Sequence, residues 1–507
     1  AAAQEDNGYL LCYYTLVEPD KKWTDMAMHE MYCGGHLMEA AVAYHQATGK
    51  DKLLKVACRL ADYYDTVFGP GKRHWVPGHQ EVELALVKLY RETGKERYLR
   101  LANWLLEERG HGHGRGYIWD RSEWGPAYCQ DDKPAGELIK VSGHAVRAMY
   151  QYTGMADVAS ITGNNEYIEA LNRLWENVVL KNMYITGGIG PSKDNEGFTQ
   201  DYDLPNETAY CETCASVGMV LWNHRMNLLH GDRKYADIVE RAMYNGALAG
   251  VSLSGDRFFY VNPLASDGTH HRQEWYDCSC CPTQIARFIP SIGNYVYNIS
   301  KEGIWVNLYI ASESNIEFLG GNAKLTQFTD YPWDGRIDIA VDTSITDSFE
   351  INLRFPGWCK SASFFVNGQK VINPVMDKGY VKIKRQWLKG DKISIDFQMP
   401  VEKVYAHPGV KADAGKVAVQ RGPIVYCMEE ADNPIDIQNI HLTADTKFIV
   451  EYREDILGGV NVIKAMQPEG EKYTFVPYYA WDNRKPGWMT VWLDEKKPEE
   501  PSSLYSV

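Results

Sequence analysis

The stretch Val82-Glu83-Leu84-Ala85-Leu86-Val87-Lys88-Leu89-Tyr90-Arg91-Glu92-Thr93-Gly94-Lys95-Glu96-Arg97-Tyr98-Leu99-Arg100-Leu101-Ala102-Asn103-Trp104-Leu105-Leu106 reads as two helices and a hinge. Apolar residues recur at helical spacing from Val82 to Tyr90 and again from Tyr98 to Leu106. Between them, Gly94 closes one helix and a polar residue opens the next. The same pattern precedes it: His36 to Gln46, then Thr48-Gly49-Lys50, then Leu53 to Phe68. It returns at Thr162-Gly163-Asn164 with Tyr167 to Val178, and at Val217 to Leu229, His230-Gly231-Asp232, Tyr235 to Tyr244. Repeated helical hairpins predict a superhelical array or a closed α/α barrel. The interruptions at 110–136 and 186–210 are too long for a plain array, and long irregular loops on one rim of a barrel are where a site lies.

After about Ser300 the period changes. Alternating segments are predicted as strands at Ile304 to Ile310, Ile337 to Val341, Phe349 to Phe355, Ser363 to Val366, Tyr380 to Ile383 and Lys392 to Phe397. Turns such as Asn367-Gly368 separate them, which predicts a β-sandwich. From about Val401 a second, smaller sandwich is expected, with strands at Val417 to Gln420, Ile424 to Cys427 and Met489 to Leu493. Its aromatic residues Tyr426, Tyr478, Tyr479 and Trp481 are read as core. The domains are therefore 1–299, 300–400 and 401–507.

Composition narrows the function. Of 507 residues, 45% are hydrophobic and 24% charged, which places the chain among globular proteins. A net charge of −14 speaks against nucleic acid as a partner, since a phosphate backbone calls for a basic face. No apolar run is long enough to span a membrane, and Ala1 to Gly8 carries no signal-peptide pattern, so no membrane partner is expected. The compartment stays open between cytoplasm and periplasm, and the chain leaves room for a homodimer.

Eleven cysteines make an odd and uneven set, a poor disulfide framework. Two clusters stand out. One closes the loop Asp194-Asn195-Glu196-Gly197-Phe198-Thr199-Gln200-Asp201-Tyr202-Asp203-Leu204-Pro205-Asn206-Glu207-Thr208-Ala209-Tyr210-Cys211-Glu212-Thr213-Cys214; the other is Cys278-Ser279-Cys280-Cys281-Pro282. Without the cysteines, the loop would read as an acidic, solvated connection. With them, the pattern points to zinc, which takes four thiolate, imidazole or carboxylate ligands. Two sets fit: Cys211, Cys214, Cys278 and Cys281 as a structural knot, or Glu212, Cys214, Cys280 and Cys281. Spacing does not choose between them.

Histidine is the second signal. His29 and His36 lie two turns apart on one helix face, and His79 and His144 are each predicted to open a helix behind a glycine. A lone histidine there is usually a cap. Several on one rim suggest a polar site. His111 and His113, in Gly110-His111-Gly112-His113-Gly114, read as a loop, with metal capture the lesser reading.

Glu196-Gly197-Phe198-Thr199, Asp201-Tyr202-Asp203-Leu204-Pro205-Asn206, Glu212-Thr213-Cys214-Ala215-Ser216-Val217 and Cys278-Ser279-Cys280-Cys281-Pro282 together resemble the bacterial β-L-arabinofuranosidases of glycoside hydrolase family 127. His29-Glu30-Met31-Tyr32, Gly34-Gly35-His36, Gly143-His144-Ala145-Val146-Arg147, Tyr260-Val261-Asn262 and Arg421-Gly422-Pro423-Ile424-Val425-Tyr426-Cys427 extend the resemblance over essentially the whole chain. It implies an (α/α)6-type helical barrel, short at its N-terminus relative to the family, followed by two β-sandwich domains. It implies zinc held by Glu212, Cys214, Cys280 and Cys281, with Cys280 the nucleophile and Glu196 the general acid/base. It also implies that His29, His79, His144 and Tyr260 contact the sugar. The expected activity is retaining exo-hydrolysis that releases β-L-arabinofuranose, or a close relative, from an L-arabinofuranose-containing oligosaccharide or glycan. The alternatives are removal of a branched acidic pectic sugar, a zinc-stapled carbohydrate-binding scaffold without catalysis, and an α/α-barrel sugar isomerase.

Overall fold

The structure is a computed structural model that describes residues 1–433, 436–468 and 470–496. The end of the expected third domain, 497–507, lies outside the described residues. The chain divides into two compact units. One is Ala1–Met183 with Ile189–Asp201; the other is Tyr184–Gly188 with the chain from Tyr202 onward.

The first unit holds α1 (Cys12–Leu16), α2 (Glu30–Thr48), α3 (Lys52–Val67), α4 (Val82–Thr93), α5 (Glu96–Glu107), α6 (Ala145–Thr162) and α7 (Asn165–Lys181). From α2 onward they pair into three hairpins. The hinge glycines Gly49, Gly94 and Gly163 sit at φ of 68°, 69° and 71°, and each N–H bonds a carbonyl of the last helical turn. A side chain there would cost about 1–2 kcal/mol, which is why the hinge is read so clearly from sequence. At the third hinge the Asn164 side chain caps α7 by accepting from the Tyr167 N–H. Helix α4 packs against both α2 and α6. The residues of α6 are buried without a break from Ala145 to Ala159, as a helix enclosed on all sides must be. By contrast α3 and α5 bury single stripes: Val56, Ala57, Leu60, Ala61 and Tyr64 in one, Tyr98, Leu101, Ala102, Leu105 and Leu106 in the other. Each large side chain so buried contributes roughly 1.5–3 kcal/mol.

The second unit opens with α8 (Thr213–His230) and α9 (Arg233–Arg241), hinged at Gly231, where Asp232 caps α9 through the Lys234 N–H. A turn of π-helix, Ala242–Ala247, follows, and later α10 (Cys280–Phe288). Two sheets then face each other. One has five strands, in the order Val375–Asp377, Tyr380–Arg385, Phe349–Arg354, Gly303–Val306, Tyr297–Ile299. The other has six, in the order Ser312–Phe318, Gly321–Thr329, Arg336–Thr343, Asp391–Phe397, Ala362–Val366, Gln369–Lys370. Ile393 and Ile395, paired with Ile339 and Ile337, alternate inward onto a core with Phe349, Ile351, Leu353 and Trp387. Arg354, wholly buried, bonds Asp237 at 2.6 Å and also Glu240, which ties this sandwich to α9.

The hairpin of Ser312–Phe318 and Gly321–Thr329 is absent from the sequence expectation. Its first strand, Ser-Glu-Ser-Asn-Ile-Glu-Phe, buries only two residues and so carries little alternation. The last part of the chain, joined by Ala265–Ser266, builds one ten-stranded sheet that is apolar on both faces. Val417, Val419, Ile424, Tyr426 and Met428 line one face. Ala418, Val425 and Cys427 line the other, packed with Phe259, Leu264, Tyr478 and Trp481. All eleven cysteines are free thiols. Among the described residues no helix is long and apolar enough to cross a membrane.

Candidate active site

In the first unit, His144 is the N-cap of α6. Its Nδ1 accepts from the N–H groups of Val146 and Arg147, at 3.1 and 3.4 Å. An Nδ1 that accepts leaves the ring proton on Nε2, and Nε2 lies 2.8 Å from Oε2 of Glu196. The helix start therefore fixes the tautomer, and the tautomer makes His144 a donor to the carboxylate. Burial lowers the His144 pKa, and the neighbouring carboxylate only partly offsets it. Backbone contacts hold Glu196 in register: Ala145 N–H bonds the Glu196 carbonyl at 3.1 Å, and Phe198 N–H bonds the Gly143 carbonyl at 2.9 Å. A Cβ on Gly197 would lie 1.8 Å from the Gly143 oxygen, so only glycine allows this approach. Glu196 itself has φ of 48°, and its side chain is 37% exposed.

His79 lies between His144 and His29, with ring centroids 5.7 and 5.9 Å away. Burial, then the Arg147 guanidinium and the His144 ring, push the His29 pKa down to about 4. The same causes, in the same order, hold His79 well below its ordinary value. Solvent nevertheless reaches His29. These are neutral imidazoles, suited to hydrogen-bonding hydroxyl groups. One expectation needs correcting: His79 does not open a helix, because α4 begins at Val82. The carbonyls of Pro77 and Gly78 are taken by the Arg109 and Arg147 guanidinia, which keeps this segment out of the helix. His36 shares the α2 face, with Nδ1 3.3 Å from Glu81. Tyr32, one turn beyond His29, is a site neighbour given no role from sequence. Its ring is 4.3 Å from His79 and 5.3 Å from His29, and that one-turn spacing is the signal that marks it.

In the second unit, Glu212 is the N-cap residue of α8 and Cys214 lies in its first turn, while Cys280 and Cys281 begin α10. Pro282 is tolerated there because the first N–H groups of a helix have no intrahelical partner. Two helix N-termini thus present partial positive charge to acidic groups. Cys214 Sγ is 3.5 Å from Cys281 Sγ, and Cys280 Sγ is 3.9 Å from Cys281 Sγ. Glu212 Oε1 is 3.5 Å from Cys280 Sγ and 3.7 Å from Cys281 Sγ. Tetrahedral zinc with bonds of ~2.3 Å to sulfur and ~2.1 Å to oxygen sets edges of ~3.8 Å between sulfurs and ~3.6 Å between sulfur and oxygen. The four residues fit such an ion.

Glu212, Cys214 and Cys281 are buried, whereas Cys280 is half-buried and open to solvent. Burial, with hydrogen bonds to the neighbouring sulfurs, pushes the Cys214 thiol well up. For Cys281 burial acts in the same sense, but hydrogen bonding from Cys214 and Cys280 outweighs it and draws the thiol down. Tyr260 Oη is 3.2 Å from Cys280 Sγ. Burial, then the charges of Glu212 and Cys280, raise the phenol pKa, so it stays protonated. Tyr276, another neighbour without a sequence-assigned role, fixes this tyrosine by accepting its backbone N–H at 3.1 Å. Cys211 is buried in the apolar core beside Tyr184 and Leu204, and Cys278 is exposed with Sγ 3.7 Å from Cys280.

Residues 1–294 match the model of the β-L-arabinofuranosidase glycoside hydrolase family 127 catalytic domain. Residues 303–399 match the family's middle domain and 401–494 its C-terminal domain. A curated non-reducing end β-L-arabinofuranosidase from Bifidobacterium longum subsp. longum is 38% identical, over 97% of this chain and 83% of that protein. The crystal structure of a family 127 β-L-arabinofuranosidase from Geobacillus stearothermophilus T6 is 44% identical and superimposes with a TM-score of 0.92, over 97% of this chain and 84% of the other. A second solved family 127 β-arabinofuranosidase is 40% identical, with a TM-score of 0.90 over 98% and 84% of the two chains.

Proposed function

The chain belongs to glycoside hydrolase family 127 and is a glycoside hydrolase, and on that premise we propose that it releases β-L-arabinofuranose from the non-reducing ends of L-arabinofuranose-containing oligosaccharides or glycans. We read the chain as a helical catalytic part, 1–299, with a β-sandwich part at 300–400 and a β-sheet part at 401–507. The observation that carries the reading is the cluster of Glu212, Cys214, Cys280 and Cys281 at tetrahedral-edge spacing, in which Cys280 is the sulfur solvent reaches.

Cys280 is the nucleophile and Glu196 the acid/base. Cys280 Sγ attacks the anomeric carbon as the glycosidic C–O bond breaks, and Glu196 gives its proton to the leaving oxygen. Glu196, now a carboxylate, takes a proton from water, whose oxygen attacks the same carbon. The C–S bond breaks and sulfur leaves as thiolate, so configuration is retained. His144 Nε2–H orients the carboxylate throughout. His29, His79 and Tyr260 bind the sugar hydroxyls, and His144, whose ring nitrogens are both engaged, contacts the sugar through its ring. Zinc, held by Glu212, Cys214, Cys280 and Cys281, would keep the sulfurs deprotonated at neutral pH.

Metal analysis of the purified chain, with hydrolysis of an aryl β-L-arabinofuranoside followed by NMR, tests the proposal. One zinc per chain and β-configured arabinose as the first product are expected. An active protein without zinc, or first-formed α-arabinose, would overturn it.

A further inference from the structure

A second cluster of metal-ligating groups lies in the first unit, in residues the proposed reaction does not use. His74 Nδ1 and His113 Nδ1 both converge on Oε1 of Glu108, and the two imidazole rings lie 4.0 Å apart at 38°. The three donor atoms lie within 4.8 Å of one another. Glu108 is the C-cap residue of α5 and its side chain is only 9% exposed, while His74 is 60% exposed and open to entering ions. His113 Nδ1 is buried and meets the carboxylate oxygen without the alignment of a hydrogen bond. A simple donor–acceptor pair would not leave the ring nitrogen so placed.

The loop that carries His113 is fixed. Gly110 N–H bonds Asp131 Oδ1 at 2.8 Å, and Trp119 Nε1 bonds Asp131 Oδ2 at 2.8 Å. A Cβ on Gly114 would collide with both the indole and the carboxylate. The loop is therefore anchored on each side of His113, so the second imidazole is delivered at little entropic cost.

We propose that His74, Glu108 and His113 form a second, exchangeable metal site for a divalent first-row transition ion such as nickel or cobalt, one that empties on purification while the cysteine site keeps its zinc. Two imidazoles and one carboxylate are a common ligand set for these ions, and they leave positions for water. All three ligands are nitrogen or oxygen, so this site is spectroscopically distinct from one that contains thiolates.

The test is a titration of the zinc-loaded full chain with cobalt(II) chloride, followed by absorption spectroscopy and equilibrium dialysis. One saturable equivalent is expected, with weak d–d bands and no sulfur-to-cobalt charge-transfer band. The double variant His74→Gln/His113→Gln should keep its glycosidase activity and lose that equivalent. Its affinity should fall by more than the roughly 10–100-fold that even the loss of a ligand's supporting partner costs. The proposal falls if no saturable cobalt binds, or if the double variant binds it undiminished. A charge-transfer band would instead report cobalt on cysteine, a separate failure that concerns the thiolate cluster.

Discussion

Glu196 and the histidines of the first unit are held differently from the glutamate–cysteine cluster of the second. Glu196 sits on a loop with left-handed backbone, kept in register by strand-like bonds to 143–145 and by one hydrogen bond from His144. Glu212, Cys214, Cys280 and Cys281 instead come from the starts of two helices, with three of the four buried. The first arrangement suits a group that must give and take a proton, since such a group needs solvent and some freedom. The second suits a group that must stay charged and in place. The difference teaches where each is fragile: the loop through its backbone register, the cluster through its ligands.

The largest effect should come from the exposed sulfur. Cys280→Ser is expected to lower kcat by at least about a thousandfold. Cys281→Ser should lose activity by losing zinc, so metal analysis of the two variants separates their roles. Equal zinc loss with equal residual activity would erase the distinction between them. Next is Glu196→Gln, with a loss of about 10²–10⁴-fold on substrates with poor leaving groups and much less on activated aryl glycosides. Equal losses on both would remove Glu196 from the acid role. Gly197→Ala changes no functional group, yet its Cβ would collide with the Gly143 oxygen. A loss of about a hundredfold in kcat with zinc retained is expected, because displacement of the acid/base by about 1 Å costs that much. Unchanged kcat would show that register does not matter.

The smallest effect concerns pH. His29 has a folded pKa of about 4 against 6.5 for the free side chain. Unfolded chains therefore take a proton in that window while the folded chain does not. The folded state keeps its full stability above about 6.5 and loses part of it as pH falls towards 4. Tm measured across this range should fall less steeply for His29→Gln than for the parent. An identical slope would place the titration elsewhere.

Much of this was legible in the sequence, for reasons visible at particular residues. The hinges at Gly49, Gly94, Gly163 and Gly231 could be read because left-handed backbone favours glycine and both flanks keep the helical period. The cysteine clusters could be seen, but not which sulfurs converge. That depends on Cys211 being drawn into an apolar core and on Cys280 opening a short helix with little periodicity of its own. The position of His79 is not legible because a glycine before a histidine resembles a helix start, whereas two distant arginines take the Pro77 and Gly78 carbonyls and the segment bends outside the helix. The strand Lys447–Arg453 was missed since most of its residues are exposed and no alternation marks it. His74, Glu108 and His113 were not connected because they come from three separate segments with no shared motif.

The central claim is that Cys280 carries the sugar between the two steps. Glu196→Gln protein mixed with an aryl β-L-arabinofuranoside, quenched in acid, digested and analysed by mass spectrometry tests it directly, because this variant should form the intermediate from an activated substrate and hydrolyse it slowly. One anhydropentose on the Cys280 sulfur is expected. A pentose on Cys281 or on a carboxylate, or no adduct at any time while turnover continues, would contradict it.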